Sequence, residues 1–329
     1  MARTAFEPLP DACALQCVQG AEFNTSYHAA VRAFIAVTDP VWLRRLAAQG
    51  VREANFWQPR PAVLRQDRGT PWIFKVRGAD RVGGYGFFSY YSVMPSGVAW
   101  ETFGLANGVE SYAEMRRRLT DLRHAGSEDD SVGCVVLSDL ALFAPDEYVS
   151  APADWKPNTV RGQYYDLTMG EGKRLWLELT AKAPAPVAVS ALHTVPGGYG
   201  LPGIYLPRLG QGAFRLMVMD AYGRRCAITG DKTLPALDAA HIRPFHAVES
   251  HDVRNGILMR SDLHRLFDQG YVTVTPDLRF RVSSQIRDQF QNGLIYYDLN
   301  DRNVSVPESE DQRPDRSGLE WHGSTIFRP

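Results

Sequence analysis

The sequence predicts an α+β protein of two domains, and three observations predict it. Strand-like runs dominate the first half, from Ala33–Thr38 to Gly133–Leu137. A stretch at 183–207 holds no Lys, Arg, Asp or Glu but five prolines and four glycines. Beyond it, between Leu237 and Asp268, come a histidine-bearing strand, a loop closed by Asn-Gly, and a short helix with a second histidine.

The elements follow in order. Ala33–Thr38 reads as a strand, and Asp39-Pro40 opens a helix through Trp42–Leu46, because a carboxylate suits the N-cap and proline the first helical position. Strand-like runs recur at Trp72–Val76, Val82–Tyr91 and Gly133–Leu137. Residues 111–123, SYAEMRRRLTDLR, form a basic helix between the last two. Arg116, Arg117 and Arg118 span most of its circumference, so at least one faces solvent. Strands with two helices at the rim predict a small β-barrel. The Pro/Gly-rich stretch is semi-extended with free bends. It divides the chain into domains at 1–182 and 208–329, joined by a linker at 183–207.

A chain of 329 residues with 44% hydrophobic composition can build two domains with real cores. No apolar run approaches the roughly 18 residues needed to cross a bilayer, and the first residues lack the pattern of a signal peptide. Cys13, Cys17, Cys134 and Cys226 are too sparse for a disulfide scaffold, so a reduced cytoplasm is the expected compartment. The net charge of -1 is unevenly spread: residues 206–285 hold 11 Lys and Arg against 8 Asp and Glu, residues 286–329 hold 5 against 8. The basic segment is the one that carries the histidines.

His241, Asn255 and His264 stand 14 and 9 residues apart. Hydrolysis of a phosphodiester needs a base to deprotonate water and a cation to stabilise charge on the leaving oxygen. The segment offers a candidate for each. Arg208, Gln211 and Arg215 lead into the preceding helix at i, i+3 and i+7, one face of which can meet phosphates or simply face solvent.

Cys226-Ala-Ile-Thr-Gly230, Ala240-His-Ile-Arg-Pro244, Asn255-Gly256 and Asp262-Leu-His-Arg-Leu-Phe-Asp268 together resemble the HNH (ββα-metal) endonuclease family, over roughly 208–282. The resemblance implies that His241 is the general base, that Asn255 braces the loop through backbone hydrogen bonds, and that His264 ligates a divalent ion, Mg²⁺ or Mn²⁺. Asn255 also reads as an Asn-Gly turn residue tolerant of left-handed φ. Asp268, four residues after His264, is placed to hold the other imidazole nitrogen or to sit as an exposed carboxylate. Arg243 joins Arg208, Gln211 and Arg215 as a DNA-binding candidate. The family's common ligand before the base is missing, because that residue is Ala240. Asp238 projects to the same strand face about 6–7 Å away and is the best substitute. Paired CxxC knuckles are absent, so no structural zinc is expected.

The first half, over roughly 30–180, resembles the PUA superfamily of β-barrels, which includes EVE, ASCH, YTH and SRA readers of modified bases. Asn55-Phe-Trp-Gln-Pro59, Ile73-Phe-Lys75, Val82-Gly-Gly-Tyr-Gly86 and Asn158-Thr-Val-Arg-Gly162 carry that resemblance. A flipped base is read by aromatic stacking and by hydrogen bonds to its edge, so surplus aromatics suit a base pocket. Trp57 and Tyr85 are the expected stacking rings, Asn55 or Gln58 the edge readers. Together the two resemblances imply a modification-dependent restriction endonuclease acting on double-stranded DNA, with a homodimer as one route to double-strand cleavage. The rival readings are a reader whose degenerate nuclease site only grips DNA, and a nuclease governed by a ligand- or protein-sensing first half.

Overall fold

The computed structural model describes residues 31–62, 64–123, 129–183, 209–244 and 252–329. Strand β1 (Arg32–Thr38) leads into helix Pro40–Gln49, where Asp39 Oδ1 accepts from Val41 N at 2.7 Å and Gly50 closes the far end at φ +60°. The cap and the stop are the ones that Asp-Pro and Gly dictate. Then follow β2 (Glu53–Gln58), β3 (Pro71–Val76) and β4 (Arg81–Pro95), helices Ser96–Phe103 and Tyr112–Leu122, and β5 (Ser131–Leu142). The short β6 (Val149–Ser150), β7 (Gly162–Asp166) and helix Gly170–Lys182 complete the first half. Arg116 and Arg117 are exposed, whereas Arg118 is held by Glu114 and Asp39, each at 3.0 Å.

The seven strands form one sheet in the order β2-β5-β4-β3-β1-β7, with β6 on β4. Only the β1–β3 pairing is parallel. Register shifts between Tyr85/Phe87 and Phe88/Tyr90 break β4's alternation, and Gly84 at φ +148° brings the backbone so near β5 that a Cβ would lie 2.3 Å from the Ala141 oxygen. Among the described residues the hydrogen-bonded path ends at β2 and β7 without closing, so what is described is one mixed sheet, and the small β-barrel expected from the strand runs is not shown.

The second half starts with helix Gln211–Ala221. The hairpin β8 (Leu237–His241) and β9 (Gly256–Arg260) and helix Ser261–Asp268 follow. A second hairpin, β10 (Val272–Val274) with β11 (Phe280–Val282), precedes helices Gln285–Phe290, Leu294–Tyr297 and Arg316–Thr325. One buried cluster runs from Met94, Val98 and Phe103 of the first half to Phe214, Ile257 and Phe267 of the second. Burying a large apolar side chain is worth roughly 1.5–3 kcal/mol, so this shared core ties the halves together. Residues 184–207, nearly all of the expected linker, lie outside the described residues, as does Arg208. Cys134 and Cys226 are buried free thiols, and no described helix is long and apolar enough to cross a membrane.

Candidate functional site

His241 is the last residue of β8 and pairs with Gly256, the first of β9. The two strands are joined across the base of the loop by Asn255. Its Oδ1 accepts from Arg243 N and its Nδ2 donates to Arg243 O, both at 2.9 Å, while Ile242 N donates to the Asn255 carbonyl at 2.9 Å. Three bonds thus fix the backbone immediately after His241, using both sides of one amide. Neither Asn255 nor Gly256 has positive φ, so the left-handed turn reading does not hold. Gly256 is required instead by close packing: a Cβ there would lie 2.5 Å from Val218 and 2.9 Å from Phe214.

Helix Ser261–Asp268 presses Leu263 and Phe267, both fully buried, onto the hairpin and turns His264 outward. His264 Nδ1 lies 3.5 Å from Asp238 Oδ2, and Nε2 lies 3.3 Å from Asp268 Oδ2. Strand alternation brings Asp238 to the face that Ala240 shares, and Ala240 itself is completely buried. The hydrogen bond from His264 holds Asp238 below the usual carboxylate range, against partial burial. Partial burial pushes Asp268 upward, opposed by His264 and reinforced by the Asp238 charge. Among the described residues no group of three or more His, Cys, Asp or Glu is arranged to hold an ion. Asp238 and His264 nonetheless fit a small divalent cation. Their donor atoms, 3.5 Å apart, can share an ion whose ligands stand at about 2.0–2.1 Å and which keeps much of its water.

The DNA-binding candidates fare unevenly. Gln211 is exposed at the start of its helix. Arg215 is turned inward: Nη2 donates to Leu237 O at 3.1 Å and Nη1 lies 3.6 Å from Asp238 Oδ1. Arg243 reaches the C-terminal helix, donating to Ser317 O at 3.0 Å with its guanidinium 5.7 Å from the Trp321 ring centroid.

The first half carries a cavity of about 550 Å³ lined by Phe34, Phe56, Trp57, Gln58, Trp72 and the rim arginines Arg60, Arg77 and Arg161. Trp57 and Gln58 are therefore on its wall, but Tyr85 and Asn55 are not. Tyr85 is fully buried against Phe87 and Trp176, with ring centroids at 5.9 and 5.1 Å, and belongs to the core beneath helix Gly170–Lys182. Asn55 is fully buried on the opposite face of β2, where Nδ2 donates to Asn107 Oδ1 at 2.9 Å. Phe34, Trp72 and Phe56 stand on the wall in place of Tyr85, with the Trp72 ring 4.8 Å from Phe34 and 5.4 Å from Phe56.

Two residues that the sequence did not single out complete the site. Phe214 stacks on His241 at 4.0 Å with an interplanar angle of 11°. Glu53 of β2 accepts from Gly210 N, Gly212 N and Ala213 N at 3.0, 2.8 and 3.2 Å, and so caps the helix that bears Phe214. Burial raises its pKa, and these three N–H groups oppose the rise. The only sequence sign of Glu53 was a helix start at Gly210 with no side chain of its own to cap it.

Residues 226–275 match the family model described as HNH endonuclease. Among curated proteins no sequence matches the chain. The fold is similar to the ASCH protein from Zymomonas mobilis and to a point variant of it. The variant shows 11% identity and a TM-score of 0.30 over 44% of this chain and 97% of that one; the parent shows 11% and 0.28 over 46% and 96%. It is also similar to the modification-dependent TagI restriction endonuclease, with 13% identity and a TM-score of 0.27 over 79% of this chain and 63% of that one. The ββα unit that carries His241, Asn255 and His264 lies within the part of this chain that matches the HNH endonuclease model.

Proposed function

We propose that the protein is a modification-dependent DNA endonuclease, in which a PUA-like first half captures a modified base and the ββα unit cleaves the backbone. One observation carries the nuclease reading: in the segment that matches the family, Asn255 pins the backbone beside His241 while Asp238 and His264 converge to 3.5 Å. His241 takes a proton from the attacking water, since an imidazole titrates near neutrality. Asp238 and His264 hold the divalent cation, Mg²⁺ or Mn²⁺, with Asp268 accepting from the other imidazole nitrogen. That ion supplies charge stabilisation at the leaving oxygen. Hydrolysis leaves 5′-phosphate and 3′-hydroxyl ends, as the family resemblance implies. Gln211, exposed at the start of its helix, meets DNA directly. Arg215 and Arg243 act mainly through the protein groups they bind.

The reader reading rests on the cavity. Phe34, Phe56, Trp57 and Trp72 offer stacking faces, and the exposed guanidiniums at its rim suit the flanking phosphates. Gln58 Oε1 is a buried acceptor without a hydrogen-bond partner among the described residues. An unmet buried acceptor costs roughly 1–3 kcal/mol, which a base donor would relieve.

Plasmid nicking with and without Mg²⁺ tests the nuclease, and matched duplexes bearing plain, 5-methylated, 5-hydroxymethylated and glucosylated cytosine test the reader. Divalent-dependent cleavage that favours a modified duplex is the expected result. A protein that binds DNA but never cuts it would leave only a DNA-gripping role. Equal cleavage of every duplex would remove the reader.

A further inference from the structure

β2 has two faces with different audiences. Alternation turns Ala54, Phe56 and Gln58 one way, where Phe56 and Gln58 line the cavity. It turns Glu53 and Asn55 the other way, toward the core shared with the second half, where Glu53 meets the Gln211–Ala221 helix; Trp57, near the strand's end, both packs on that core and borders the cavity. A six-residue strand therefore touches both the pocket and the helix that abuts the nuclease hairpin.

The contact at Glu53 is built rather than incidental. The helix has Gly210 at its N-cap with no side-chain cap, and the carboxylate comes from a residue 157 positions earlier. A Cβ at Gly210 would lie 2.4 Å from the Glu53 carboxylate, and one at Gly212 would lie 2.7 Å from Oε1 and 2.2 Å from the Phe103 ring. Both positions admit only glycine while Glu53 occupies its place. A carboxylate at a helix N-terminus also interacts favourably with the helix dipole.

Within one turn of that cap, the helix grips the hairpin at both ends of β8. Phe214 lies on His241, and Arg215 binds the Leu237 carbonyl beside Asp238. A shift of the first turn would move the ring on which the base rests and the arginine beside Asp238 together.

We infer that Glu53 is a positioning residue for the nuclease site, holding the Phe214–His241 stack in place from the strand that lines the base cavity. The inference rests on the proposed nuclease role of His241. Occupation of the cavity then acts on cleavage through β2, with Glu53 as the contact that passes it on.

The test compares the full-length parent with Glu53→Gln, which keeps shape and one acceptor but sets an amide NH₂ against backbone N–H donors, and with Gly212→Ala, which disturbs the same contact from the helix side. Both variants should lower kcat about tenfold or more on the best duplex of the cytosine panel, with KM and duplex affinity changed less than about twofold, a loss of about 1.4 kcal/mol in the chemical step. The preference for modified over plain duplex should shrink in kcat and persist in binding. Hydrogen exchange should quicken at the Ile242 amide, next to His241, as well as in the first turn of the helix. Lowered thermal stability with unchanged kcat, or faster exchange confined to 209–216, would reduce Glu53 to an ordinary helix cap and overturn the inference. A parent that cleaves no duplex at all refutes the proposed function instead, and the exchange at Ile242 still decides the role of Glu53.

Discussion

The ring of Phe214 lies flat against the imidazole of His241, with centroids 4.0 Å apart and planes 11° from parallel. Because Phe214 is buried in the core shared by both halves, the orientation of the candidate base is set by packing as well as by its own strand. Phe214→Leu should keep an apolar side chain but lose the flat face. Cleavage should fall at least severalfold while DNA affinity stays within about twofold. His241→Ala should abolish cleavage with binding intact. Single-turnover cleavage beside a binding titration checks both, and a Phe214→Leu protein as fast as the parent would show that the stack is only packing.

The pair Asp238 and His264 predicts a metal phenotype. His264→Ala should remove activity or raise the Mg²⁺ concentration needed, because a ligand lost in such sites typically costs affinity for the ion. Asp238→Asn should act in the same direction and more weakly, as the amide oxygen retains one neutral donor. Superimposable Mg²⁺ titrations for Asp238→Asn and the parent would take Asp238 out of the ligand set.

Acid sensitivity should come in part from His322. It is 2% exposed, stacks on Phe267 at 3.6 Å, and sits between Thr273 Oγ1 at 2.9 Å and the Phe267 carbonyl at 3.1 Å. The carbonyl can only accept, so Nε2 carries the proton and Nδ1 accepts from threonine. Burial lowers its pKa to about 4, against an ordinary 6.5. Well above pH 6.5 the imidazole is neutral folded or unfolded and contributes no pH dependence. As pH falls from 6.5 towards 4 the unfolded chain gains the proton first, so stability drops, by about 3 kcal/mol in all. Denaturant unfolding between these pH values should show that loss in the parent and lack it in His322→Gln. Parallel pH profiles of the two would refute the assignment.

The cavity and the core should separate under mutation. Trp57→Ala or Gln58→Ala should reduce discrimination between modified and plain duplex, a lost stacking face being worth about 1–3 kcal/mol. Tyr85→Ala should instead destabilise the fold by roughly 3–5 kcal/mol, as large-to-small core changes at aromatic positions do. Duplex binding and thermal unfolding on the same samples tell the two apart. A folded Tyr85→Ala protein that had lost only discrimination would return Tyr85 to the pocket.

Cutting the chain near Pro196 should yield fragments that remain associated. The composition of 183–207 marks a linker between two domains, yet Phe103 and Phe214 share a core and the buried Glu53 carboxylate would lose three donors. Co-purification after cleavage checks this, and two monomeric, folded fragments would argue for independent domains.

The ββα unit was legible in the sequence because its contacts are local. Asp268 meets His264 one helical turn away, and Asn255 reaches Arg243 only 12 residues back, so spacing and residue type nearly specify them. Asp238 was named by strand alternation once the family resemblance had marked Ala240 as the missing ligand. The sequence also determined the capped helix after β1 and the strand character of the first half. What it left open depends on partners far along the chain. β4 is buried along most of its length, so alternation could not say that Tyr85 faces helix Gly170–Lys182 and not the cavity. Likewise Glu53, an unremarkable carboxylate in sequence, finds its donors 157 to 160 residues later. Periodicity tells which residues share a face, but only the packing of one layer on another decides what that face meets, and that decided the cavity wall and the seat of His241.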